Sequence, residues 1–111
     1  MALRSGTLSW RQRPLTKYDI LAELWEVISD RVREPKEGSY IASLLCDPKG
    51  IDRTLEKVGE EATEYIIAVK NGTKREILME AADLQFHLLV SLKAAGIEYS
   101  DVLRELESRR K

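Results

Sequence analysis

An all-α helical bundle is the fold class this sequence predicts, and three observations carry it. Apolar residues recur at three- and four-residue spacing over the long stretches, and helix-capping residues stand at their ends. No stretch alternates apolar with polar residues as a half-buried strand does. At 111 residues the chain can bury one modest core and is too short for two, so a single domain is expected.

Residues 1–15 read as a basic tail, and 16–111 as one all-α domain. From Met1 to Tyr18 the basic residues Arg4, Arg11, Arg13 and Lys17 stand without an acid, a weak similarity to transit peptides. A disordered or loosely docked tail is the preferred reading, and no run of about 20 apolar residues offers a membrane span.

The first helix is predicted from Thr16, capped there with Asp19 at its third position. It continues through Ile20, Leu21, Leu24, Trp25, Ile28 and Val32 and ends before Pro35. Residues 35–39 read as a loop, Tyr40 to Leu45 as a short helix, and Asp47-Pro48-Lys49-Gly50 as a turn. From Ile51 to Lys70 the residues Ile51, Leu55, Val58, Ala62, Tyr65, Ile66 and Val69 form one apolar stripe. Asn71-Gly72 is expected to supply left-handed backbone at the end of this helix.

Thr73 and Glu76 form a capping box, so a further helix starts at once and runs to Ala95, where Gly96 ends it; the two make a helical hairpin. This helix is apolar on more than one side. Ile77, Leu78, Ala81, Leu84, Leu88 and Leu92 make one face, which Phe86, Leu89 and Val90 extend. A lone hairpin cannot cover both sides, so a bundle closed by a second subunit is expected, with a tight monomer as the alternative. Ser100 is expected to cap a last helix through Val102, Leu103 and Leu106 that ends on Arg109-Arg110-Lys111.

Composition excludes several functions. Eighteen basic and 19 acidic residues leave a net charge of −1, so the chain lacks the positive field of a nonspecific nucleic-acid binder. One cysteine, Cys46, forms no internal disulfide, and a single histidine leaves no zinc cluster, which fits a reducing cytoplasm. Cys46 reads as a small buried residue.

The acidic residues are the informative ones. Glu60, Glu61 and Glu64 fall within an arc of about 100° beside the apolar stripe, and Glu80 and Asp83 lie three apart on the next helix. In an antiparallel hairpin the two patches face each other. Like charges at this spacing repel by about 0.2 to 0.5 kcal/mol per pair, which a bound cation would offset. Oxygen ligands of this kind suit Mg²⁺ or Mn²⁺ better than zinc or copper. A solvated acidic face is the competing reading, and spacing leaves both open. A carboxylate-bridged di-iron site needs Glu-x-x-His on two helices, which the chain lacks. His87, four residues after Asp83, reads equally as a hydrogen-bond partner to the site, a substrate contact or a histidine at the core's edge. Lys57, inside the acidic arc, reads as a partner of substrate or carboxylate. Arg53, Lys70 and Lys74 are further candidates for an anionic substrate, with solvation the preferred reading for each. Gly59 is expected to permit a close helix approach.

The run Glu56-Lys57-Val58-Gly59-Glu60-Glu61-Ala62-Thr63-Glu64, with Glu80-Ala81-Ala82-Asp83-Leu84 and His87-Leu88-Leu89-Val90, resembles the phosphoribosyl-ATP pyrophosphohydrolase family of histidine biosynthesis. The resemblance extends to Gly38-Ser39-Tyr40 and Asp101-Val102-Leu103, roughly residues 20 to 108. It implies membership of the all-α nucleotide pyrophosphohydrolases, which include MazG and the dimeric dUTPases, and hence a MazG-like bundle. By that resemblance Glu61, Glu64, Glu80 and Asp83 bind Mg²⁺, with Mn²⁺ able to substitute, and Glu60 is a further ligand or orients the attacking water. Ser39 and Tyr40 contact the substrate, and the protein is a homodimer. Residue 41 departs from the pattern, being Ile41 where a threonine is expected, which weakens any hydrogen-bonding role there. The implied reaction turns 1-(5-phosphoribosyl)-ATP into 1-(5-phosphoribosyl)-AMP and pyrophosphate; the following cyclohydrolase is a candidate partner. The alternatives are another nucleoside triphosphate pyrophosphohydrolase of the dUTPase or MazG type, or a non-catalytic helical dimerisation module.

Overall fold

Five helices in the order α1 (Ile20–Arg33), α2 (Tyr40–Leu45), α3 (Ile51–Asn71), α4 (Lys74–Ala94) and α5 (Tyr99–Ser108) make up the computed structural model, which describes residues 20–110. No strand occurs among the described residues. The predicted cap at Thr16, the basic tail and Lys111 lie outside them.

Local chemistry sets most of the boundaries. Pro35 disfavours helical backbone at Glu34, the residue after α1. The Ser39 hydroxyl accepts a hydrogen bond from the Ala42 N–H at 3.2 Å and caps α2. Before α3 the Asp47 carboxylate accepts from the Lys49 N–H at 2.8 Å, and Gly50, at φ 64°, turns the chain into the helix. At the start of α4 the capping box forms in full: Thr73 accepts from the Glu76 N–H, and the Glu76 carboxylate accepts from the Thr73 N–H at 2.8 Å.

Two boundaries differ from expectation. Gly72 is extended, at φ −97°, and no non-glycine described residue has positive φ, so no left-handed residue closes α3. Because the capping box restarts the helix at Thr73, a two-residue connection is enough. Glycine is needed at 72 for space: a Cβ there would lie 2.8 Å from the Ala68 carbonyl oxygen and 3.1 Å from the capping carboxylate of Glu76. Gly72→Ala is therefore expected to destabilise the fold by about 1 to 3 kcal/mol, read from the midpoint of urea unfolding; an unchanged midpoint would refute this close approach. Ser100 is not a cap. The N-cap of α5 is Glu98, with no side-chain hydrogen bond, and Ser100 lies inside the first turn. Tyr99, the first residue of the helix, packs its ring against Trp25, with centroids 5.8 Å apart.

The core is Trp25, Ile28, Leu44, Leu89 and Val90, joined by Leu21, Leu24, Ile41, Leu45, Phe86, Leu92 and Tyr99. It sits where α1 and α2 meet the C-terminal half of α4. Ile41 serves this packing, which accounts for an apolar residue at that position. The expected stripe on α4 is thus secondary. Its buried residues are His87, Leu89, Val90 and Ser91, whereas Leu78 and Leu88 are about half exposed.

The hairpin α3–α4 carries the larger departure. Of the expected core stripe of α3, Ile51, Leu55, Ile66 and Val69 are 41 to 65% exposed and Val58, Ala62 and Tyr65 only partly buried, while the fully buried seam of the helix consists of Thr54, Glu61 and Ala68. Cys46 is exposed and not buried, because it lies at the C-cap of α2, beyond the core residue Leu44. A Cβ added at Gly59 would meet nothing within 4 Å, so no close helix approach requires this glycine within the described residues. No helix among the described residues is long and apolar enough to cross a membrane.

Candidate metal centre

The seam of α3 places a carboxylate where a helix pair normally packs an apolar side chain. Glu61 is only 7% exposed, and Glu64 follows one turn later on the more open side. From α4, Glu80 projects toward both. One oxygen from each of Glu61, Glu64 and Glu80 lies within 4.8 Å of the others. Glu80 Oε1 is buried and has no hydrogen-bond partner among the described residues.

The electrostatics follow from this crowding. Burial pushes the Glu61 carboxyl above its ordinary range, Glu64 adds to the rise, Lys57 opposes it, and Asp83 and Glu80 add smaller contributions. Glu80 is raised by burial first, then by Glu64, Asp83 and Glu76. A pocket that makes its own acids harder to ionise, and leaves one buried oxygen without a donor, fits a hard divalent cation.

The other sequence candidates fall around this group. Asp83 is outside the 4.8 Å cluster, although its charge bears on both Glu61 and Glu80. Glu60 is 53% exposed at its side chain and accepts a hydrogen bond from Lys57 Nζ at 3.1 Å. Lys57, only 17% exposed at its side chain, also lies 3.7 Å from Glu61, and the Glu60 bond is the main cause of its raised pKa. The carboxylate-pairing role expected of Lys57 is therefore present.

His87 is 6% exposed, with Nε2 3.5 Å from the Tyr40 hydroxyl and Nδ1 buried without a partner. Burial, and then the Lys57 charge, lower its pKa. Tyr40 is half exposed and stacks on Phe86, with centroids 6.1 Å apart. Ser39 acts as the α2 cap. Lys70 is exposed in the last turn of α3 and makes no ion pair with the described residues.

Beside the carboxylates a cleft of about 300 Å³ is lined by Glu64, Ile67, Ala68, Asn71, Gly72, Glu76 and Glu80. Glu76 was missed by the sequence reading as a site residue because its capping role accounts for it. Its four-residue spacing from Glu80 was the available signal, and its charge raises Glu80.

Comparison with known proteins identifies the family. Residues 21–110 match the family model of phosphoribosyl-ATP pyrophosphohydrolase. A phosphoribosyl-ATP pyrophosphatase of Methanosphaerula palustris is 60% identical over 97 residues, 87% of this chain and 98% of that protein. The enzyme of the same name from Methanoculleus marisnigri is 54% identical over 94 residues, 85% of this chain and 97% of its own. One from Halobacterium salinarum is 47% identical over 93 residues, 83% of this chain and 98% of that protein.

Proposed function

This chain belongs to the phosphoribosyl-ATP pyrophosphohydrolase family, and from that membership we propose that it hydrolyses 1-(5-phosphoribosyl)-ATP to 1-(5-phosphoribosyl)-AMP and pyrophosphate in the cytoplasm, as the second step of histidine biosynthesis. The observation that supports a metal-assisted route is the meeting of Glu61, Glu64 and Glu80, with a buried oxygen of Glu80 unsatisfied.

Mg²⁺, for which Mn²⁺ substitutes, would be held by Glu61, Glu64 and Glu80, with Asp83 completing the set. When bound, it supplies charge neutralisation for the polyphosphate and for the departing pyrophosphate. The chain's own groups do the rest. Glu60, more open than Glu61, orients the attacking water and accepts its proton. In the free protein Lys57 pairs with Glu60, and it attracts the anionic substrate. As the water oxygen bonds to phosphorus, the anhydride opens and pyrophosphate leaves; no covalent enzyme intermediate is needed.

The enzyme acts as a homodimer in this proposal. Ile51, Leu55, Ile66 and Val69 fall within an arc of about 60° on α3, and an exposed stripe of that length is what a second copy would cover. The cyclohydrolase that consumes the product is the further candidate partner.

The test is pyrophosphate release from phosphoribosyl-ATP by the purified protein, with Mg²⁺ and with chelator, beside dUTP and ATP. Mg²⁺-dependent release from phosphoribosyl-ATP alone is expected. Release from dUTP or ATP alone would keep the metal site and overturn the substrate, and none from any would favour a dimerisation module.

A further inference from the structure

The charged face of α3 changes sign along its length. Arg53, Lys57, Glu60 and Glu64 are four, three and four residues apart and therefore share one side of the helix. From Arg53 to Glu64 this side runs about 16 Å at 1.5 Å per residue. Its C-terminal end holds the carboxylate cluster. Its N-terminal end is basic, and Tyr40 opens α2, which packs against α3, with its hydroxyl 3.5 Å from His87 Nε2.

Phosphoribosyl-ATP is anionic at two ends. The triphosphate occupies one; the other carries the 5-phosphate of the added ribose, separated from the first by the adenine ring and two sugars. The carboxylates with their metal answer the triphosphate only. We infer that Arg53 and Lys57, with the Tyr40 hydroxyl, form a second subsite that binds the ribosyl 5-phosphate and selects phosphoribosyl-ATP over ATP. The inference rests on the substrate proposed above and names the part of that substrate each end of α3 takes.

Both cations now carry weak partners. Arg53 lies 3.4 Å from Glu56, which Lys49 also pairs at 2.9 Å, and Lys57 pairs with Glu60 at 3.1 Å. Glu56 and Glu60 are 41% and 53% exposed at their side chains, so solvent screens these pairs and they yield to a phosphate dianion, while the longer 3.7 Å contact of Lys57 with the buried Glu61 is kept. The cations themselves are held close to the protein, at 33% and 17% exposure, which limits the ordering cost on binding. Arg53 offers a planar fork of donors suited to two phosphate oxygens.

Arg53→Gln tests this, with Arg53→Lys beside it. Loss of a charge-assisted contact is expected to raise the KM for phosphoribosyl-ATP roughly 10- to 100-fold, with the effect carried in KM and not in kcat. Ribose 5-phosphate, titrated by calorimetry without turnover, is expected to bind wild type and to lose affinity by a similar factor in Arg53→Gln, while Arg53→Lys recovers part of it. Unchanged KM and ribose 5-phosphate affinity would overturn the subsite, as would a loss confined to kcat. Failure of wild type to hydrolyse phosphoribosyl-ATP would refute the activity, and the ribose 5-phosphate titration would still report on the subsite separately.

Discussion

Glu80→Ala is expected to reduce turnover roughly a thousandfold or more while the metal-free protein melts at a higher temperature than wild type. The two effects have one origin. Glu80 supplies an oxygen to the cluster with Glu61 and Glu64, and its other contribution to the apo protein is repulsion plus a buried oxygen that bonds to nothing. On the proposed metal site, removing it takes away a ligand and a repulsion together. The neighbours of the cluster hold the fold without it, since the core of Trp25, Ile28, Leu44, Leu89 and Val90 lies beyond this stretch of the hairpin.

The pH dependence gives the same prediction a second readout. Glu61 and Glu80 are raised in the folded state, so their contribution to stability is present below the unfolded carboxyl pKa and is lost as pH rises through the folded values. Buried His87, whose pKa is lowered, contributes with the opposite sign over the same range, so the comparison is between variants: in chelator, the melting point of Glu80→Ala relative to wild type should increase as pH rises from about 5 to about 7. With metal the sign reverses, because cation and protons compete for the same oxygens and affinity falls on acidification. Thermal melts with chelator and with Mg²⁺ across this range measure both. Full turnover in Glu80→Ala, or a melting point lower than wild type in chelator, would remove the basis for the metal assignment.

How far the sequence anticipated this molecule depends on whether a signal is local. Thr73 and Glu76 name a capping box by residue type and spacing alone, and the structure contains it; Ser39, Pro35 and Gly96 likewise mark helix ends through their own chemistry. Asn71-Gly72 was misread because the same pair serves a left-handed cap or a tight connection, and the immediate restart at Thr73 decides between them. Periodicity identified α3 but not what its apolar side touches. Seven-residue spacing selects Thr54, Glu61 and Ala68 for the α4 seam, polar and small residues that hydropathy alone would never nominate. For the carboxylates, spacing placed the patches on facing helices, and three of the four expected ligands meet. Whether Asp83 joined them depended on side-chain geometry that no spacing rule contains. Tyr40 against His87, 47 residues apart, had no local signal at all.

The second large effect is expected at Ile66, far from any charge chemistry. Ile66 is 65% exposed in the middle of the α3 stripe, and Ile51, Leu55 and Val69 continue that stripe on both sides. Covering one such side chain is worth about 1.5 to 3 kcal/mol, and a two-fold interface contains it twice. Ile66→Asp removes that gain from both copies and adds two carboxylates to a dry contact, so the dimer dissociation constant should rise by at least roughly 10³-fold. Sedimentation equilibrium over a dilution series reads this directly: wild type should remain dimeric where Ile66→Asp is monomeric. Ile66→Leu, which keeps the area, should stay dimeric. The stripe and the charged side carrying Glu60 and Glu64 flank the α4 seam from opposite sides, so monomeric Ile66→Asp also reveals whether one chain positions the carboxylates alone. Calorimetric titration of Mg²⁺ into the monomer would retain wild-type affinity if the hairpin is self-sufficient and lose it if the second copy holds α3 against α4. A wild type that is monomeric at every concentration would refute the interface and leave the exposed stripe of α3 without a partner.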